Sequence, residues 1–330
     1  MAPSGTWAEL TARAVFHGLV ASLFVEALVR GWRVRAPGQR IALRSVGLAW
    51  PLLFPVLVLL LPGRGAADLA GGPALMDGRL WALVAPLGVP LLHVFAVGLG
   101  GAGALLFLLD LLPLLRARRR PRPPASEPDP QSAARIGAEL ASLAPAAGIA
   151  PPPVVFVAQD AAMLFSAGVR RPTVVVSRGA LALLDAEELR AALAHELSHL
   201  ARRDPLWSWV LFAARALHFY NPAFQVLSRA VLHDVEWQAD DRAAELCGDR
   251  VALASALLKL FRASRGWRWS FRRTLPFAPV LAEPIERART LDIEVRCRRL
   301  LDPPAQPLPF AGARVALAAG CLTGILAFVL

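Results

Sequence analysis

The sequence predicts an α-helical membrane protein with an α+β domain inserted ahead of its last apolar segment. Three observations predict it. The chain is 56% hydrophobic, above the usual globular share, and its apolar residues gather in stretches at about 12–29, 46–62, 81–109 and 315–330. Its arginines cluster beside some of these stretches and avoid others. Between residues 133 and 302 the pattern changes to short Val-rich runs and amphipathic helices around one metal-ligand motif.

The first stretch carries His17 and Glu26. It lacks a basic leader and a small-residue cleavage site, which argues against a removed signal peptide. A span needs roughly 17 to 25 residues. The second and last stretches are at the short end. The third is long enough to tilt, or to break at Pro90 or between Gly98 and Gly103.

Arg30, Arg33, Arg35, Arg40 and Arg44 follow the first stretch, and Arg116, Arg118, Arg119, Arg120 and Arg122 follow the third. The 62–79 loop carries only Arg64 and Arg79 against Asp68 and Asp77. By the positive-inside rule the two basic regions are cytoplasmic. The N-terminus and the 62–79 loop then lie outside, and the inserted domain faces the cytoplasm from a multi-pass position in the cell membrane. The net charge of +11 is thus a topology signal. No basic groove interleaved with aromatics is visible, which argues against nucleic acid. The expected partner is the lipid bilayer.

Residues 1–115 form the expected membrane region. Residues 116–132 are a linker, broken by Pro121, Pro123, Pro124, Pro128 and Pro130, and their arginines suit anionic headgroups. The inserted domain opens with a helix over 133–143. Residues 154–158 and 173–176 are expected strands of a small sheet. Residues 206–227 are apolar except for Arg215, His218 and Asn221, which suits a helix packed in the domain or dipping into a bilayer interface. A charged amphipathic segment, 286–301, closes the domain. Residues 303–314 connect it to the last span. Cys247, Cys297 and Cys321 are widely spaced and form no C-x-x-C pair, so packing is their expected role.

Residues 195–199 read His195-Glu196-Leu197-Ser198-His199, an H-E-x-x-H motif. On a helix it sets two imidazoles one turn apart on one face, within reach of a single zinc ion. Glu196 stands beside them, where it can take a proton from an activated water. Composition alone would produce the motif in on the order of half a percent of such chains, so its flanks matter. Asp185 and Glu188 fit a capping box. Leu189, Ala192, Leu193, Leu197 and Leu200 make an apolar face, and Pro205 is an expected stop. The histidines therefore fall mid-helix.

A catalytic zinc takes three protein ligands. Candidates for the third are His218, His233, Glu236, Asp240, Asp241 and Glu245. Residues 235–245 suit a helix with Glu236 and Asp240 on one face, one to bind metal and the other to orient a histidine. A solvated acidic face would explain this segment alone, but not beside H-E-x-x-H. His218, Tyr220 and His233 are candidates to stabilise a developing oxyanion; a histidine beside an apolar face is more often structural.

The run from His195 to Asp204, Asn221-Pro222, Glu236-Trp237-Gln238-Ala239-Asp240, Ser166-Ala167-Gly168 and the 173–177 strand together resemble the membrane-embedded zinc metallopeptidases. Both the BlaR/MecR and the HtpX/CAAX-prenyl-protease branches fit. Ala239 is as in the HtpX branch; the BlaR branch often has Cys there. The resemblance covers roughly 135–302. It implies that the α+β insertion is a zincin-like (gluzincin) domain binding one zinc through His195, His199 and Glu236, with Glu196 as general base and Asp240 behind a ligand. It implies a protein or peptide substrate, held by an edge strand, for which 173–177 is the expected strand. BlaR/MecR proteins carry a large outer sensor after their last span. The sequence here ends at Leu330, so such input is expected through the short outer loop, the spans, a partner sensor or a homodimer.

Overall fold

The computed structural model describes residues 7–60, 91–118, 129–168, 170–269, 292–302 and 306–329. The chain divides into two compact units, each built from separated segments. One comprises Met1–Arg120, Val210–Val235 and Ala305–Leu330; the other comprises Pro121–Trp209 and Glu236–Pro304. Residues 210–235, expected within the inserted domain, belong to the first unit.

The first unit is helical. Helices α1 (Trp7–Gly31), α2 (Pro37–Leu60) and α3 (Leu91–Arg118) come from the N-terminal third of the chain. Ala21 packs with Leu322 and Leu326 of the C-terminal helix, Ala311–Val329. Val25 and Leu48 pack with Phe224, Leu227 and Val231. Gly103 is a true close approach: a Cβ there would stand 2.4 Å from the carbonyl carbon of Tyr220. Charged side chains are also buried. Arg44 pairs with Glu26 and with Asp234, and Arg40 lies 3.0 Å from Asp234. Asp110 pairs with Arg215 and Arg229.

Among the described residues no helix is long and apolar enough to cross a membrane. The expected 62–79 loop and the start of the third stretch, 81–90, lie outside the described residues, as do 119–128 of the linker, 286–291 of the closing segment and 303–305 of the connector.

The second unit carries the α+β pattern. Helix α4 (Pro130–Ala146) starts before the expected residue 133: Asp129 caps it, accepting from the Ser132 amide at 3.1 Å, with Pro130 at the first helical position. Strands β1 (Val154–Val157), β2 (Leu164–Ala167) and β3 (Thr173–Ser177) form a sheet in the order β1-β3-β2. β1 runs parallel to β3, and β2 runs antiparallel to it. Gly168 opens the β2–β3 connection at φ 92°, and a Cβ there would sit 2.4 Å from the Arg171 carbonyl oxygen, so only glycine fits.

The sheet corrects one expectation. The 173–177 strand is central, with both edges paired, and cannot accept a further strand. The edge strand nearest the motif helix is β2, which the sequence did not announce.

A short helix, α5 (Arg178–Leu183), leads into the motif helix, α6 (Ala186–Ala201). The Asp185 carboxylate accepts from the Glu188 amide at 2.9 Å, and the Glu188 carboxylate accepts from the Asp185 amide at 3.0 Å. This closes the expected capping box. Leu189, Leu193 and Leu197 are fully buried in a core shared with Ile136, Leu140 and Leu143 of α4, Val174 and Val176 of β3, and Leu253. Pro205 is not what stops α6. Arg203 takes a left-handed φ of 57° after the helix ends, and Pro205 lies in the first turn of α7 (Asp204–Leu217). The apolar 206–227 stretch breaks at 218–221. There the Asn221 side chain accepts from the Phe224 amide at 3.1 Å and starts α8 (Pro222–Cys247). Helix α9 (Arg250–Trp269) and a helix over 292–301, α10, complete this unit.

Candidate metal centre

His195 and His199 lie mid-way along α6, and Glu236 lies on α8. One ligand atom from each falls within 4.8 Å of the others. The two Nε2 atoms are 3.1 Å apart. Glu236 presents Oε2 at 3.7 Å from His195 Nε2 and Oε1 at 3.7 Å from His199 Nε2. Ligands on a tetrahedron of zinc-like bond lengths stand about 3.3 Å apart, so these separations match one shared ion.

The backs of the rings explain why the Nε2 atoms converge. The Asp204 carboxylate lies 2.7 Å from His199 Nδ1. A carboxylate only accepts, so Nδ1 carries the hydrogen and Nε2 keeps its lone pair. Asp240, fully buried, sits 3.1 Å from His195 Nδ1; the pair is close, but the N–H is not aligned as a full hydrogen bond. Two lone-pair nitrogens 3.1 Å apart repel unless a cation or a proton stands between them. A proton can do so: burial works against charge on His195, yet the neighbouring carboxylates of Asp240 and Glu236 outweigh burial and push its pKa up to about 10. The same acceptors suit a divalent cation. Burial works against the Glu236 carboxylate as well, but His195 and Arg296 hold it well below the usual range, so it stays anionic. Donor set, spacing and charge all fit a metal of the zinc kind.

Glu196 follows His195 on α6 and does not join the ligand set. Its Oε2 accepts from the Ser166 amide of β2 at 2.6 Å. One oxygen is thereby fixed by the edge strand.

Residues 125–276 match the family model described as BlaR1 peptidase M56. The chain is also similar to "Protease HtpX homolog" proteins. That of Methylibium petroleiphilum is 31% identical over 175 residues, covering 43% of this chain and 62% of the relative. That of Paraburkholderia phytofirmans is 31% identical over 175 residues, covering 43% and 61%. That of Acidiphilium cryptum is 30% identical over 165 residues, covering 40% and 57%. The chain thus spans less than two thirds of the length of these relatives.

The structure brings His195, His199 and Glu236 together and sets Asp240 against His195. Asp241 and Glu245, the other candidate ligands on α8, are engaged elsewhere, with Arg299 and Arg242. His218, Tyr220 and His233 belong to the first compact unit. The His218 ring stacks on Phe224 at 4.7 Å and on Tyr220 at 6.1 Å, which is a packing role.

Three participants were not foreseen. Asp204 backs His199; its signal was a carboxylate just past the end of the motif helix. The Ser166 amide holds Glu196, and a backbone group leaves no trace in residue type. Arg296 of α10 grips Asp240 with two hydrogen bonds, of 2.8 and 2.7 Å, and lies 3.1 Å from Glu236. In sequence it is one of several arginines on a charged helix.

Proposed function

We propose that this chain is a membrane-held zinc metalloendopeptidase that hydrolyses peptide bonds of cytoplasmic or membrane proteins. The observation that carries the reading is the convergence of His195, His199 and Glu236 beside a Glu196 carboxylate fixed by β2. His195, His199 and Glu236 would hold one zinc, and Asp204 and Asp240 would orient the two rings. Zinc in such a site polarises a carbonyl and acidifies a water.

The chain's own groups supply the rest. Glu196 takes a proton from the attacking water and passes it to the leaving amine. Its fixed oxygen leaves the other free for that transfer. β2 is the strand suited to hold an extended substrate. The Met163 carbonyl accepts from Ser177 on the β3 side, so alternation turns the amides and carbonyls of Leu164 and Ser166 to the outer edge. A substrate backbone can pair there.

Support for the membrane comes from the apolar stretches and the arginine distribution. The resemblance to the HtpX branch supports a quality-control role on many membrane proteins; cleavage of a single transcriptional repressor, the role of the BlaR/MecR branch, is the second reading. One experiment tests these points together. The membrane fraction of cells expressing the wild type should cleave a peptide library in a zinc-dependent manner. Glu196→Gln should be equally abundant there, keep its zinc and lose at least about a thousandfold in rate. Equal cleavage by both proteins would end the mechanism, and activity confined to the soluble fraction would end the membrane reading. A proteome comparison of the same cells should show many membrane proteins accumulating with Glu196→Gln; a lone regulator would favour the repressor reading.

A further inference from the structure

We propose that Arg296 is a positioning residue of the metal centre: its guanidinium locks Asp240 behind His195 and leaves Glu236 one metal-facing oxygen. The inference rests on the zinc-binding reading above.

The geometry is that of a fork on a carboxylate. Arg296 Nε donates to Asp240 Oδ2 at 2.8 Å, and Nη2 donates to Oδ1 at 2.7 Å. Two parallel bonds from one rigid plane fix the rotation of the carboxylate, which a single bond does not. Asp240 Oδ1 is also the atom 3.1 Å from His195 Nδ1. The setting of the His195 ring is therefore handed from α10 through Asp240. The remaining nitrogen, Nη1, lies 3.1 Å from Glu236 Oε2. With Oε2 engaged, Oε1 is the oxygen left for the ion, 3.7 Å from His199 Nε2. One buried cation thus touches a ligand and the carboxylate behind a second ligand. It also offsets the repulsion between two neighbouring carboxylates, partly exposed Glu236 and buried Asp240.

The competing explanation is a staple that fastens α10 to α8. Arg299, one turn further along α10, already does that work. It donates to the Trp237 carbonyl at 3.1 Å, pairs with Asp241, and lies 5.3 Å over the Trp237 ring. None of these groups is a proposed ligand or backs one. Arg299 is therefore the natural control for Arg296.

The test is zinc affinity of the full chain, measured by competition with a chromophoric chelator, alongside the thermal midpoint of the metal-free protein. Arg296→Gln should weaken zinc about 10- to 100-fold. Arg296→Lys keeps the charge without the fork and should still weaken it by about fivefold or more. Arg299→Gln should lower the thermal midpoint while leaving zinc affinity within about twofold of wild type. The proposal is overturned if Arg296→Gln binds zinc as the wild type does, or if Arg299→Gln weakens zinc equally. Should Arg296→Gln not fold, wild-type affinity in Arg296→Lys overturns it. If the wild type itself takes up no zinc, the underlying metal reading fails, not the positioning role alone.

Discussion

Asp204 stands behind His199 as Asp240 stands behind His195, so each imidazole turns its Nε2 inward. Each carboxylate is held in turn by an arginine, Arg202 on Asp204 and Arg296 on Asp240. Asp204→Ala removes the acceptor from His199 Nδ1 and lets the ring choose its tautomer. Zinc affinity should fall about 10- to 100-fold, read by chelator competition; affinity within twofold of wild type would refute the role. The candidate triad of His195, His199 and Glu236 stood out in the sequence because ligand chemistry restricts residue type and spacing. The groups behind it were less legible, because any carboxylate that the fold brings close can serve. A second residue-scale prediction concerns Glu188, buried in the core of the second unit. Burial disfavours its charge, but hydrogen bonds from Lys259, Ser255 and the Asp185 amide outweigh burial and hold its carboxyl below the ordinary glutamate value. A lowered folded pKa contributes stability above the unfolded value, lost as pH falls through the folded one. Acid melts of the wild type should therefore lose stability below about pH 4.5. Glu188→Ala should cost about 2 kcal/mol at neutral pH and flatten that acid limb. An unchanged limb would show that Glu188 does not drive it.

At the scale of elements, α6 and β2 had opposite legibility. α6 announced its start through Asp185 and Glu188 and its buried face through leucines at helical spacing. β2 is four residues, Leu164–Ala167, too short for alternation to show against its surroundings. It is defined by pairing with β3, a contact between distant residues that local propensity does not encode. The 173–177 run drew attention as the edge strand by its position ahead of the motif helix. Its Val-rich composition suits it to the buried centre of the sheet. β2 also gives a prediction. The Ser166 amide faces outward to Glu196, and an outward N–H on an edge strand is where proline is tolerated. Ser166→Pro should leave β2 paired with β3 and change stability by about 1 kcal/mol or less. It should lower kcat by about 10- to 100-fold, because the catalytic carboxylate loses its fixed oxygen. Full kcat in a folded Ser166→Pro protein would remove the amide from the mechanism. A collapsed thermal midpoint would show instead that the N–H faces β3.

At the scale of the molecule, polar residues in apolar stretches acquire partners. Glu26 looked like an imperfection in the first stretch, and Arg40 and Arg44 looked like markers of a cytoplasmic loop. In the structure Arg44 bridges Glu26 and Asp234, and Arg40 meets the other Asp234 oxygen at 3.0 Å. Topology rules count charges without asking what they face, which is why this cluster was not legible. Asp234 is fully buried and belongs to α8, so three helices of the first unit meet on one carboxylate. Removing one member of a buried ion cluster leaves its partner charged and unsolvated, which costs more than the intact pair contributes. Asp234→Ala should therefore cost about 3 kcal/mol or more, seen as a lower thermal midpoint of the purified protein. Arg44→Leu should also destabilise, by stranding Glu26 and half of Asp234. The double variant removes both sides of the contact, so its cost should fall short of the sum by about 1 kcal/mol or more. Strict additivity in that cycle would mean that Arg44 and Asp234 do not interact. A double variant more stable than Asp234→Ala alone would show that the stranded arginine, rather than the lost bond, is what destabilises the unit.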